Sequence, residues 1–262
     1  MSKDGELVSG GVTLPSGSGG SSTTITLTNN LPSTNLIAVV GGDVFLEFNY
    51  MSSEDELFEK YPIGGRMIIP IKLSSGTVVA DVEIIGHNYD NLADGSGKAS
   101  LTFFCIDLPQ ILHRMNEESS NNGGWELNEM RSFVNGELLN ALPAKLKSII
   151  KPVYKISDGG ATNRTLITTT DNCWLASYDE VGLVAGDNNL AGQGELYASI
   201  FSADKSTRKK YITDNTATGG WWLRFSYYSL NSNSMFWRVT NSGGSYSDIA
   251  FNSFYVAFGF CI

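Results

Sequence analysis

The chain is poor in the residues that usually announce chemistry. Its two histidines, His87 and His113, stand apart, and neither lies in a metal or nucleophile motif, so no general base is visible. Its three cysteines, Cys105, Cys173 and Cys261, are odd in number, widely spaced and without a Cys-x-x-Cys pair, so neither a disulfide framework nor a zinc site is indicated and they read as buried thiols. Basic residues are also few. Against 27 acidic residues there are 18 Lys and Arg, a net charge of −9, and binding a polyanion needs clustered cations, so no nucleic-acid partner is expected. The one dense basic run, Arg208-Lys209-Lys210, reads as a solvated helix end. No apolar run reaches the length of a membrane span, and the opening MSKDGELVSGG lacks the apolar stretch of a signal peptide. The expectation is a soluble product made in the cytoplasm, with no membrane insertion and an extracellular destination still open.

Ligand motifs are missing too. The glycine pairs at 41–42, 64–65, 123–124, 159–160, 219–220 and 243–244 form no P-loop or GxGxxG pattern, so they are turns or close backbone contacts and no cofactor is implied. The segment HNYDNLADGSG offers Asp90, Asn91 and Asp94 as hard oxygen ligands for calcium, but EF-hand spacing and its terminal Glu are absent, so a hairpin loop is the reading and no metal is assigned.

What the chain does have is pattern. The run GGVTLPSGSGGSS has the composition of a flexible linker, so residues 1–24 read as a tether. Alternating segments such as AVVGGDVFLEFNY then suggest a small β attachment module over 25–62, closed near Lys60 by a short helix whose Ser53 and Glu56 have capping-box spacing. From Arg66, the stretches RMIIPIKL, TVVADVEIIG and SLTFFCIDL predict an antiparallel meander. In WELNEMRSFVNGELL, Leu127, Met130, Phe133, Val134 and Leu138 recur at helical spacing. Pro143 suits the first turn of a second helix carrying Leu146, Ile149, Ile150 and Val153. Strands return at GGWWLRF, MFWRVTNSGG and FYVAFGFCI. The order is α+β, with residues 63–262 as the main domain.

Two C-terminal stretches stand out. FSYYSLNSNS (225–234) and SYSDIAFNSF (245–254) mix aromatics with Ser and Asn, the composition of recognition surfaces: rings give large contact area with few torsions to freeze, and Ser and Asn give adaptable hydrogen bonds. Aromatic residues alternating along a half-buried sheet would produce the same composition. A Gly243-Gly244 hairpin would fold the second stretch back beside the first.

The segments GGWELNEMRSFVNGELLNAL, ITTTDNCWLASYDEVGL, GGWWLRF and YVAFGFCI resemble, in order and spacing, a bacterial and phage domain of unassigned function. That domain ends in a WWLRS-type motif and is related to the C-type-lectin fold of formylglycine-generating enzymes and of the variable proteins of diversity-generating retroelements. The resemblance covers Arg66 to Ile262 and implies a C-type-lectin-like domain with a variable region over about 221–262. In the retroelement proteins, adenine mutagenesis of Asn codons excludes Lys, Glu, Gln, Met and Trp from varied positions. Both 225–234 and 239–256 obey this, with Trp221, Trp222, Arg224, Met235, Trp237 and Arg238 as framework. Phe225 departs from the family's Ser, and the cysteines do not match the reactive pair of the enzyme relatives, so no catalytic residue and no enzyme activity are expected.

The expected ligand-binding residues are Phe225, Tyr227, Tyr228, Leu230, Asn231, Asn233, Tyr246, Asp248, Phe251 and Phe254. The resemblance implies a receptor-binding protein of a phage tail tip or fibre, located on the virion tail. Its partners would be a host cell-surface receptor, protein or glycan, and other virion tail proteins, and it would work as a homo-oligomer, a trimer. A bacterial surface or secreted binding protein and a formylglycine-type oxidase are the alternatives.

Overall fold

The computed structural model describes residues 11–13, 24–26, 36–39, 54–160, 164–183, 190–213, 217–228 and 233–262. Three strands expected from the sequence form the heart of one sheet: β4 (Arg66–Leu73), β5 (Gly76–His87) and β6 (Leu101–Cys105) run antiparallel in sequence order. All five residues of β6 are buried, which is why it reads as a continuous apolar run: both of its faces are covered. The last strand, β17 (Phe258–Cys261), inserts beside β6, and β10 (Cys173–Leu175) lies beyond it. On the other edge β3 (Leu36–Val39) pairs parallel with β4, giving the order β10-β17-β6-β5-β4-β3. Leu57 of the helix Glu54–Lys60 and Tyr61 just after it are buried in this same core, and of the expected attachment module residues 27–35 and 40–53 lie outside the described residues. Within the expected tether, Gly11–Thr13 pairs with Thr24–Thr26, and the rest of that segment lies outside the described residues.

The expected helices are shorter than their apolar patterns. Asn128 caps the first by accepting from Arg131 N, so the helix starts at Glu129, and Leu127, expected on the apolar face, precedes the first turn and is exposed. It widens into a π turn at Val134–Leu138, where Asn135 donates to Asp171 Oδ1 and to the Arg131 and Cys173 carbonyls. Pro143 caps the second helix, Ala144–Ile149, from outside. Ile150 turns extended ahead of Pro152, so Val153 opens strand β8 (Val153–Asp158) instead of closing the helix. β8 pairs with β9 (Leu166–Asp171).

A second sheet has the order β15-β14-β13-β16-β7, built from β15 (Ser245–Ile249), β14 (Met235–Val239), β13 (Trp221–Ser226), β16 (Ser253–Tyr255) and β7 (Leu112–Arg114). Trp221 and Trp222 of β13 are fully buried. Trp221 meets Phe104 of the first sheet at 6.1 Å between ring centroids, so β13 is where the sheets join. The architecture is mixed, with mostly antiparallel sheets and few helices, as α+β predicts.

Candidate functional site

β13 is buried along its whole length while β14 beside it and β15 beyond that reach solvent, so the sheet carries an anchored side and an open side. β14 and β15 form a hairpin closed at Gly243, whose φ of 84° is the left-handed conformation such a turn needs. Adjacent strand residues point to opposite faces, and here that divides the expected binding residues into two groups. On one face Arg238 is the centre. Its Nε donates to Asp248 Oδ2 at 3.0 Å, and its guanidinium lies 4.1 Å from the Phe254 ring centroid and 5.4 Å from that of Tyr246. Trp222, paired with Arg238 across the strands, meets Phe254 edge-on. Asn252 donates to the other Asp248 oxygen at 2.6 Å. Tyr246 and Phe251 stand out from this cluster, each more than half exposed.

The opposite face holds Trp237 with Tyr227 and Tyr178 around it, at 5.3 and 5.1 Å between centroids. Tyr228 turns elsewhere, under the Arg164 guanidinium at 3.9 Å. The face expected to gather all these residues is therefore two faces and a rim. Phe225 is buried at 1 % exposure and packs on Tyr178, because β13 is covered on both sides. Asn233 is exposed, and its carbonyl accepts from Asn121 N. Leu230 and Asn231 lie outside the described residues.

At the end of β13 there is a half-open cleft of about 220 Å³, its mouth included, lined by Asp158, Gly160, Arg164, Leu190, Phe225, Ser226 and Tyr228. Its floor is fixed by backbone. A Cβ on Gly124 would fall 2.0 Å from the Asp158 carbonyl, and one on Gly160 would fall 2.0 Å from that of Asn121, so two glycine pairs interlock where no side chain fits. Asp158 accepts from Gly160 N at 2.9 Å and Ser226 N at 3.1 Å. Burial still raises its pKa, outweighing the N–H groups and the nearby Ser226 hydroxyl that lower it. That hydroxyl is buried and makes no hydrogen bond of acceptable geometry among the described residues. The composition of FSYYSLNSNS pointed to this end of β13, but neither Asp158 nor Arg164 carries a local signal, since both come from the β8–β9 hairpin region.

The interior holds a second ionic group that the sequence did not announce. Lys155 donates to Asp90 at 2.5 Å and to the Tyr197 hydroxyl at 2.6 Å, and lies 3.9 Å from the Trp174 ring centroid. Arg224 donates to both oxygens of Glu180, at 2.5 and 2.8 Å. Burial raises the Asp90 pKa, but Lys155 and hydrogen bonds from Lys155, Thr102 and Tyr197 outweigh it and hold it below the usual carboxylate value. Asp90 therefore serves this network, and the HNYDNLADGSG segment forms the expected hairpin, with Asn91 bridging Lys98. The basic run is corrected in the same way. Arg208 ends a short 3-10 turn but is buried, donating to the Gly243 and Ser202 carbonyls. Lys210 is buried, donating to the Cys105 and Ile106 carbonyls among Phe104, Phe201 and Trp221, and burial lowers its pKa to about 8.

The three cysteines are free and buried. Burial raises all their thiols, Cys105 to about 12, which keeps them protonated and poorly nucleophilic. His87 stacks on Phe58 and bonds the Tyr61 carbonyl, while His113 stacks on Phe133 and bonds the Arg114 carbonyl.

No curated protein and no solved structure matches the chain. A family model described as a domain of unknown function, DUF6273, matches residues 105–261, taking in both helices, the interior network's Lys155, Glu180 and Arg224, and the whole C-terminal hairpin. With that span covering more than half of its length, the chain belongs to the DUF6273 family.

Proposed function

We propose that this chain is a non-enzymatic binding protein with a C-type-lectin-like fold, presenting a diversified face on the β14–β15 hairpin and β16. The observation that carries the reading is the contrast along that hairpin: Tyr246 and Phe251 are more than half exposed, while Arg238 holds Asp248 and Phe254 together next to Tyr246. Exposed aromatic anchors on a preorganised base lose little entropy on binding, which is how recognition surfaces gain affinity. The residues that the retroelement rule would vary, Tyr246, Asp248 and Phe251, lie on this hairpin or the turn after it. Of those it would keep, Trp221, Trp222 and Arg224 are buried and Met235, Trp237 and Arg238 are half-buried on β14, while Phe225, among those it would vary, is buried. In this reading the protein sits on a phage tail tip or fibre as a homotrimer bound to other tail proteins, and contacts a host cell-surface receptor, protein or glycan. Several copies would raise avidity without new contacts.

The test uses the full chain against whole cells of a panel of bacterial strains, with Tyr246→Ala and Phe251→Ala beside it. Binding to a subset of strains that weakens about tenfold in either variant, at unchanged melting temperature, supports the reading. Binding to no strain, or binding indifferent to both variants, removes it. Diversification has its own check in the flanking DNA, where a near-copy of the coding region for 221–262 with adenines at the varied positions is expected.

A further inference from the structure

The interior network contains one pair of groups that can react with each other. The buried carboxylates Asp81, Asp171 and Glu180 each meet an arginine, whereas Asp90 meets Lys155, the two side chains 8 % and 2 % exposed. A guanidinium stays protonated, but an ammonium that gives up its proton becomes a nucleophilic amine. The other buried lysine, Lys210, donates to backbone amide carbonyls, which resist attack. Lys155 faces a carboxyl group.

The parts of an acyl transfer stand around this pair. Lys155 Nζ is 2.5 Å from Asp90 Oδ1, and the backbone fixes the approach, because Tyr154 N donates to the Asn91 carbonyl and Ala93 N to that of Pro152. Groups held in this way react at effective concentrations on the order of 10⁵ M and above. Thr102 Oγ1 donates at 2.8 Å to Asp90 Oδ2, the oxygen on which charge grows when the carboxyl carbon becomes tetrahedral. Tyr197 Oη lies 2.6 Å from Nζ and 3.1 Å from Oδ1, and Glu180 Oε1 lies 3.5 Å from both Nζ and Tyr197 Oη, a path for a proton from nitrogen to Oδ1. Arg224 holds Glu180 there by both oxygens. The Trp174 ring, 3.9 Å from Nζ, keeps water from the amine.

We propose that Lys155 and Asp90 condense to an intramolecular amide, a cross-link between β8 and the loop joining β5 to β6. The pair starts ionised, since Lys155 and the hydrogen bonds to Asp90 hold its carboxyl below the usual value. A proton passes from Nζ to Oδ1, and the freed amine attacks Cγ to form the N–C bond. The Cγ–Oδ1 bond then breaks, and Oδ1 leaves as water after taking a second proton from Nζ through Tyr197 and Glu180. Two of the three ammonium protons depart in that water and the third stays on the amide nitrogen, so no oxidant or co-reactant is needed. The driving force is burial: two charges stripped of hydration are replaced by one neutral amide. The bond ties together residues 65 positions apart and so restrains the unfolded chain, independently of any receptor bound at the hairpin.

The experiment is mass spectrometry of the denatured full chain, intact and after trypsin. The expected intact mass is one water below that of the sequence. Trypsin does not cut after an acylated lysine, so the peptide 73–98, which carries Asp90, is expected joined through Lys155 to the peptide 148–164. Lys155→Arg keeps the cation but has no amine to acylate, and its mass is expected to equal that of its sequence. Wild type at its full sequence mass overturns the proposal. A water loss that survives Lys155→Arg overturns it as well, because it would mark a cyclic imide at Asp94-Gly95 instead. Glu180→Gln, similar in shape but no base, is expected to leave most chains unlinked, and complete linkage in that variant would overturn the proton route. The wild-type mass decides the cross-link whether or not that variant folds.

Discussion

Two places in this molecule set a cation against a carboxylate and aromatic rings, and they differ in one respect, access to water. In the interior, Lys155 and Arg224 meet Asp90, Glu180, Tyr197 and Trp174 with nothing exposed. On the second sheet, Arg238 meets Asp248, Phe254 and Tyr246 with solvent beside them. The chemistry is the same, but the energetic consequences are not. Inside, each charge has lost its hydration and depends on its partner, so removing one member strands the other. Outside, water replaces a lost partner at little cost, and the group is free to serve recognition.

That contrast is broken most sharply from the inside. Glu180→Ala leaves Arg224 buried without its bidentate partner, and the expected loss is about 3–5 kcal/mol. It would appear as a fall on the order of 10 °C in the thermal midpoint, and a variant melting within a few degrees of wild type would mean that the network is hydrated. Lys210 gives a pH-dependent version. Its pKa falls from the usual lysine value to about 8 on folding. Between those values the unfolded chain holds the extra proton, so this residue's contribution to stability rises with pH from about 8 toward 10 and is unfavourable below that window. Wild type should gain on Lys210→Met by on the order of 1 kcal/mol per pH unit across the window, read by urea denaturation at fixed ionic strength. A flat difference would place the amine in contact with water.

The outer cluster should respond weakly in stability. Arg238→Ala frees a partly exposed Asp248, and about 1 kcal/mol or less is expected from chemical denaturation. A loss comparable to that of Glu180→Ala would mean that the outer cluster is as dependent on its cation as the inner one. The smallest stability effect belongs to Tyr246→Ala, within about 0.5 kcal/mol of wild type, since its ring stands in solvent. The cell-binding assay is where that change should register, and a binding loss accompanied by unfolding would make Tyr246 a packing residue.

The same contrast governs what the sequence could reveal. Strands β4, β5 and β6 were legible because β-branched and aromatic runs between turn residues encode themselves locally. The helix at Glu129 was legible from its apolar spacing, but its start was not, because it depends on Asn128 capping rather than on Leu127. The exposed aromatics of SYSDIAFNSF could be read from composition. Their division between two faces depends on the pairing of Arg238 with Tyr246 and of Trp237 with Ser247, a register that composition does not carry. The interior network was illegible: Asp90, Lys155, Glu180, Tyr197 and Arg224 come from five separate segments, and a lysine bound for the core looks in sequence like one bound for solvent. One hint existed, an arginine set among the apolar residues of WWLRF, where an unpaired charge would not survive burial. Lys210 was missed for the same reason, since its ring neighbours Phe104 and Phe201 lie far from it in the chain.

The position of β17 has a consequence for biosynthesis. This strand lies between β10 and β6, one place in from the edge of the six-stranded sheet, and its four residues are buried. A ribosome must therefore translate beyond Cys261 before the sheet can close. Any chain that stops or shifts frame anywhere in the hairpin region loses this interior strand and leaves β6 and β10 with unpaired edges open to proteolysis. Stops and frameshifts upstream in that region, however frequent, would be removed as unfolded chains, whereas in-frame substitutions would leave β17 in place.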